Sequence, residues 1–111
     1  MKTTPIRLFL VAAMLSGLGT AAQASCSQYG KVRSERSDEK LMVDLVNETS
    51  GPVRLYWIDY DGKLQPRGDI GPGAWMGQKS YASHPFIMLD DKNVCRGLGV
   101  VGANTQEIVA R

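Results

Sequence analysis

The chain contains one histidine, His84, and this limits the chemistry available to it. A histidine-based metal cluster, or a nucleophile working with a histidine base, needs partners that the sequence does not gather around His84. Ser80 and Ser83 are near it along the chain, but proximity in sequence is not triad geometry. Asp59-Tyr60-Asp61-Gly62 and Asp90-Asp91-Lys92-Asn93 each resemble a fragment of a calcium loop. Neither has the full spacing or the bidentate Glu that closes such a loop, and acidic residues at these places read as turn formers. Asn47-Glu48-Thr49 fits a glycosylation sequon. No phosphate-cradling glycine loop and no internal repeat is present. The expectation is a protein without catalytic residues, metal or cofactor.

Two cysteines, Cys26 and Cys95, are the other reactive pair, and their meaning depends on compartment. Residues 1–24 read as a removable leader: Lys2 and Arg7 precede an apolar run, Leu8 to Leu18, and Ala22-Gln23-Ala24 is a small-x-small cleavage site. The run of about 11 residues is short of the ~20 that span a bilayer. Gln23-Ala24-Ser25 is a poor lipobox, which disfavours lipidation at Cys26. Export to a secreted or periplasmic location favours pairing Cys26 with Cys95, and neither a CxxC nor clustered histidines support a redox or metal role.

The 111 residues carry 13 Lys+Arg against 11 Asp+Glu. Loss of the leader removes Lys2 and Arg7 and leaves the mature chain balanced, so no basic face for nucleic acid or anionic membrane is indicated. At 43% apolar and 22% charged residues, the chain is also not of disordered composition. One small exported domain is the result.

The elements that must position any site are strands. Residues 25–40 are polar and read as a loosely held lead-in, with the domain proper over 41–111. Lys40–Val46 is rich in β-formers and is followed by turn chemistry from Asn47 to Pro52. In Val53–Asp59, Val53, Leu55 and Trp57 face one way and Arg54, Tyr56 and Ile58 the other. Asp61-Gly62 predicts a tight hairpin of type I′. Gly71-Pro72-Gly73 breaks the chain before Ala74–Tyr81; Pro85–Leu89 is a short apolar run, and Gln106–Ala110 a closing strand. No stretch of the mature chain keeps a helical period. Six to seven short strands predict an all-β fold, a small β-sandwich.

The stretch from Leu41 to Asp90 resembles the β-domain of the von Hippel–Lindau tumour suppressor family. Asn47 ending a strand, Tyr56–Gly62 (YWIDYDG), Gln65-Pro66, Pro72-Gly73, and Ser80-Tyr81-x-x-His84-x-Phe86 carry the likeness. It implies the same β-sandwich, with a groove for an extended peptide bearing 4-hydroxyproline. Residue by residue, Trp57 matches a wall tryptophan, Ser80 and His84 match the pair that hydrogen-bonds the hydroxyl, and Tyr81 matches the following tyrosine. Phe86 stands where the family has another tryptophan.

Other positions depart from the family. Arg67 occupies the place of a pocket tyrosine, Lys79 replaces a histidine that contacts peptide backbone, and Arg36 and Asp38 stand for a contacting Asn and Arg. The chemistry is sound in itself: a serine and a neutral imidazole can satisfy a hydroxyl's donor and acceptor, and aromatic faces pack on a proline ring. Taken alone, Trp57 reads as core. The expected partner is therefore a protein or peptide, in one reading containing hydroxyproline. In the alternative the sandwich is a structural or interaction domain without that pocket. The family's helical ubiquitin-ligase adaptor is not expected to follow, and an exported chain is separated from cytosolic ubiquitin chemistry.

Overall fold

The computed structural model describes residues 26–111; the leader expected over residues 1–24 lies outside them. Seven strands follow in order: β1 (Lys40–Asn47), β2 (Val53–Ile58), β3 (Leu64–Ile70), β4 (Trp75–Tyr81), β5 (Pro85–Leu89), β6 (Cys95–Val100) and β7 (Glu107–Ala110). They form a three-stranded sheet, β4-β1-β7, and a four-stranded sheet, β3-β2-β5-β6. All pairings are antiparallel except β1 with β7. The fold is the β-sandwich that the strand pattern and the resemblance predict.

Alternation along the strands builds the core between the sheets. Val43 and Leu45 of β1 and Ile108 and Ala110 of β7 meet Val53, Leu55, Phe86 and Met88 of the opposite sheet in one buried cluster. Full burial of such a side chain is worth about 1.5–3 kcal/mol. The other face of the four-stranded sheet is not left to solvent. Ile58, Ile87, Leu89 and Leu98 form a second buried cluster, with Val32, Tyr56, Leu64 and Cys95 packed against it.

Val32 belongs to the polar segment expected to be loosely held, and the structure differs here. Ser34 is buried; its hydroxyl donates to the Ile58 carbonyl at 2.6 Å and its amide to the Asp59 carbonyl at 3.0 Å. Ser83 donates its hydroxyl to the Glu35 carbonyl at 2.8 Å. At the start of the segment Cys26 is joined to Cys95, the first residue of β6, across 69 residues of sequence. The segment therefore lies across the outer face of the four-stranded sheet as its cover. A disulfide is compatible with an extracellular location, and among the described residues no helix is long and apolar enough to cross a membrane.

One local expectation is corrected, and the sequon takes a structural role. The β2–β3 hairpin is not type I′: only Gly62 has a positive φ, 81°, and the Asp59 carbonyl accepts from the Gly62 amide while the Asp59 amide donates to the Lys63 carbonyl. This is a three-residue loop ending in a left-handed glycine. The sequon asparagine is unavailable to a glycosyltransferase in the folded chain. Asn47 is 0% exposed, its Nδ2 donates to the Gly51 and Ile70 carbonyls at 2.9 Å, and its Oδ1 accepts from the Thr49 amide and hydroxyl. It pins the β1–β2 turn to the end of β3.

One long edge of the sandwich is closed by β7. The Arg111 amide donates to the Arg96 carbonyl at 2.9 Å, and a Cβ on Gly97 would stand 2.6 Å from the Val109 carbonyl oxygen. Gly97→Ala must therefore push β7 away, and we expect a loss of about 1–3 kcal/mol in chemical denaturation. Reduction of the disulfide, or Cys95→Ser, should lower the unfolding free energy by about 2–4 kcal/mol. Unfolding midpoints unchanged by reductant would contradict the covering role given to the segment.

Candidate functional site

The opposite edge is open, and a cavity of about 230 Å³ lies there, lined by Trp57, Tyr60, Arg67, Lys79, Ser80, Tyr81, His84 and Phe86. All six residues singled out from the sequence as ligand-binding candidates, Trp57, Arg67, Ser80, Tyr81, His84 and Phe86, contribute to this one lining. Trp57 and Phe86 are cross-strand partners in β2 and β5 and face the interlayer space. Trp57 packs on the main core, as the core reading expects, and also lines the cavity. Ser80 enters from β4 in the opposite sheet, where it pairs with Leu41. The cavity is thus the end of the interlayer space that the core does not fill.

His84 follows a turn in which Ser83 takes a positive φ of 75°, a conformation uncommon for residues other than glycine. That turn carries His84 inward to 5% exposure. Its ring centroid lies 5.5 Å from those of Trp57, Tyr60 and Tyr81, and Nε2 is 3.4 Å from the Tyr60 hydroxyl. Burial pushes the imidazole below its ordinary pKa, and the Glu35 backbone carbonyl partly offsets this. Ser80 is 7% exposed; its Oγ and the Trp57 Nε1 are sealed and have no hydrogen-bond partner among the described residues. An orphaned buried group of this kind costs about 1–3 kcal/mol.

Arg67 owes its position to a bulge. Leu55 pairs with Gly68 and Tyr56 with Pro66, so Arg67 is an extra residue with no partner in β2, and its guanidinium lies 5.2 Å over the Trp57 ring. Gly68 has φ of 138°, which a side chain would disfavour, so the bulge requires glycine there. Arg36, from the covering segment, sits 5.7 Å over Tyr60.

Tyr60 was not evident from the sequence. It sits in a turn, where aromatic residues carry no periodic signal, and only the three-residue loop brings it to His84. The acidic fragments serve as turn acceptors: Asp59 takes the amides of Asp61 and Lys63 and the Gln65 side chain, and Asp90 takes those of Lys92 and Val94. Hydrogen bonds to the charged form hold both carboxyls below the usual carboxylate range, the Gln65 side chain dominating for Asp59 and the Val94 amide for Asp90.

A pH dependence follows from His84. Its folded-state pKa is lowered, so the unfolded chain takes up the proton first; the His84 contribution is intact above about pH 6.5 and declines as pH falls below it. Denaturation followed from about pH 7.5 to about pH 5 should show falling stability, and His84→Gln should flatten that slope. A wild-type slope equal to that of the variant would refute the burial argument.

The comparison with curated proteins gives no match. A family model described as the VHL beta domain matches residues 32–108, most of the described chain and beginning within the covering segment. Membership makes the protein a binding module in general, of a domain type that recognises proteins or peptides and is not known for catalysis. The two-sheet architecture and this match lead to one conclusion: the chain belongs to the von Hippel–Lindau β-domain family.

Proposed function

We propose that this chain binds an extended peptide through the cavity at its open edge, seating a proline or hydroxyproline ring beside Trp57, His84 and Phe86. The observation that carries the proposal is the convergence of β2, β4, β5 and the β4–β5 turn on one hollow, whose lining residues Ser80 and Trp57 each carry a buried polar atom, Oγ and Nε1, without a partner among the described residues. Its aromatic walls suit a rigid apolar ring. The imidazole interacts with the Glu35 carbonyl, and its Nε2, 3.4 Å from the Tyr60 hydroxyl, is the nitrogen proposed to meet a ligand hydroxyl, with Ser80 as its neighbour in the lining. Edge strand β4, free on one side, can receive peptide backbone by strand addition. The role proposed is binding without catalysis, in keeping with a domain family whose general role is recognition.

A second reading, an interaction domain that does not use the cavity, draws on the outer face of β4-β1-β7. Trp75, 65% exposed, and Met42 stand on that face.

Calorimetric titration distinguishes the two. An extended peptide containing 4-hydroxyproline should bind roughly tenfold to a hundredfold tighter than its proline counterpart, because proline leaves the hydroxyl-binding groups unpaired. His84→Ala should erase most of that difference. Equal affinity for both peptides would remove hydroxyl recognition. No binding by either at millimolar concentration would leave the interaction-domain reading.

A further inference from the structure

Two bulges place two arginines in this fold, and their surroundings differ. Arg96 is the extra residue where Met88 pairs with Gly97 and Leu89 with Cys95. Its Nε donates to the Arg111 carbonyl at 2.8 Å, and its Nη1 lies 3.4 Å from Asp90. Arg67, the extra residue of β3, reaches only the carbonyl of its neighbour Pro66, at 3.3 Å, and the face of Trp57. The ion pairs among the described residues use Arg54, Arg96 and Arg111; neither Arg67 nor Lys79 has a carboxylate partner there. Both line the cavity, and its lining includes no Asp or Glu.

Resting on the pocket reading above, we infer that the cavity selects a ligand bearing a carboxylate, held by Arg67 while the adjoining ring contacts Trp57 and His84. A guanidinium presents parallel N–H donors that match the two oxygens of a carboxylate. Stacking on Trp57 fixes its plane in advance, so less rotamer freedom is lost on binding. Lys79 alternates with the inward Ser80 on β4 and is exposed, so the paired contact is left to Arg67. The cavity is smaller than the ~300–1,000 Å³ typical of drug-sized sites, which suits one residue and its attached anion. The buried, unpaired Ser80 hydroxyl in the same lining is a second polar demand that the protein itself does not meet.

The carboxylate has two possible sources, the end of a peptide or an acidic side chain next to the ring. Four hydroxyproline peptides separate them: one ending in hydroxyproline as the free acid, the same peptide as the amide, and two amidated peptides with internal hydroxyproline followed by Asp or by Asn. In calorimetry at low salt, the carboxylated member of one pair should bind about tenfold tighter than its neutral counterpart, an advantage that shrinks as ionic strength rises. A difference in the first pair identifies a chain end, and one in the second an acidic side chain. Arg67→Gln should abolish the difference within the pair, and Lys79→Gln should leave it. Equal affinities within both pairs, or a difference that survives Arg67→Gln, would overturn the carboxylate inference and leave the pocket reading standing. Absence of binding by all four would overturn both.

Discussion

Strand β5 is buried along its whole length, and most of the molecule follows from that constraint. A strand in a two-sheet sandwich ordinarily shows one face to water and alternates polar with apolar residues. Here Phe86 and Met88 enter the interlayer core while Ile87 and Leu89 point outward into a second cluster. Apolar side chains on that outer face need a cover, and the segment from Cys26 to Glu39 supplies it. The cover in turn brings the Glu35 carbonyl and Arg36 to the turn and ring that flank the cavity. Packing on one face of the sheet thus helps to position chemistry at its end.

Irregularity concentrates where it has an effect. Each bulge breaks a ladder at one residue and sends an arginine away from the pleat. At β6 the displaced side chain helps to close the seam with β7; at β3 it comes to lie over Trp57 at the open edge. The unusual backbone at Ser83 similarly turns a polar loop residue's neighbour, His84, into the molecule. Regular strands alone would leave His84 and Arg67 on the periphery.

The strands with plain alternation, β1, β2 and β4, and the solid apolar run of β5 are legible in the sequence, as is the pairing of Cys26 with Cys95. Strands β3 and β6 are masked by their own residues. LQPRGDI contains Pro66 and Gly68, and CRGLGV two glycines, all of which read as breakers. Pro66 is tolerated because β3 is an edge, and Gly97 is needed because β7 approaches too closely for a side chain. The covering segment is equally hidden: Val32 and Ser34 are isolated among polar neighbours, with no period to mark them. The cavity residues were legible through their family resemblance, but the stacking of Arg67 on Trp57 was not. It depends on a register shift between two strands, a property of the pair that neither sequence displays alone.

The covalent tie at the start of the cover makes the molecular surface conditional on where the chain resides. In a reducing environment Cys26 and Cys95 remain thiols, and the cover is held over Ile58, Ile87, Leu89 and Leu98 only by its few noncovalent contacts. Each opening then presents an apolar sheet face, the kind of surface that chaperones and proteases act upon. Oxidation converts that transient exposure into a sealed exterior. Redox state thus decides whether this molecule shows one apolar face or none.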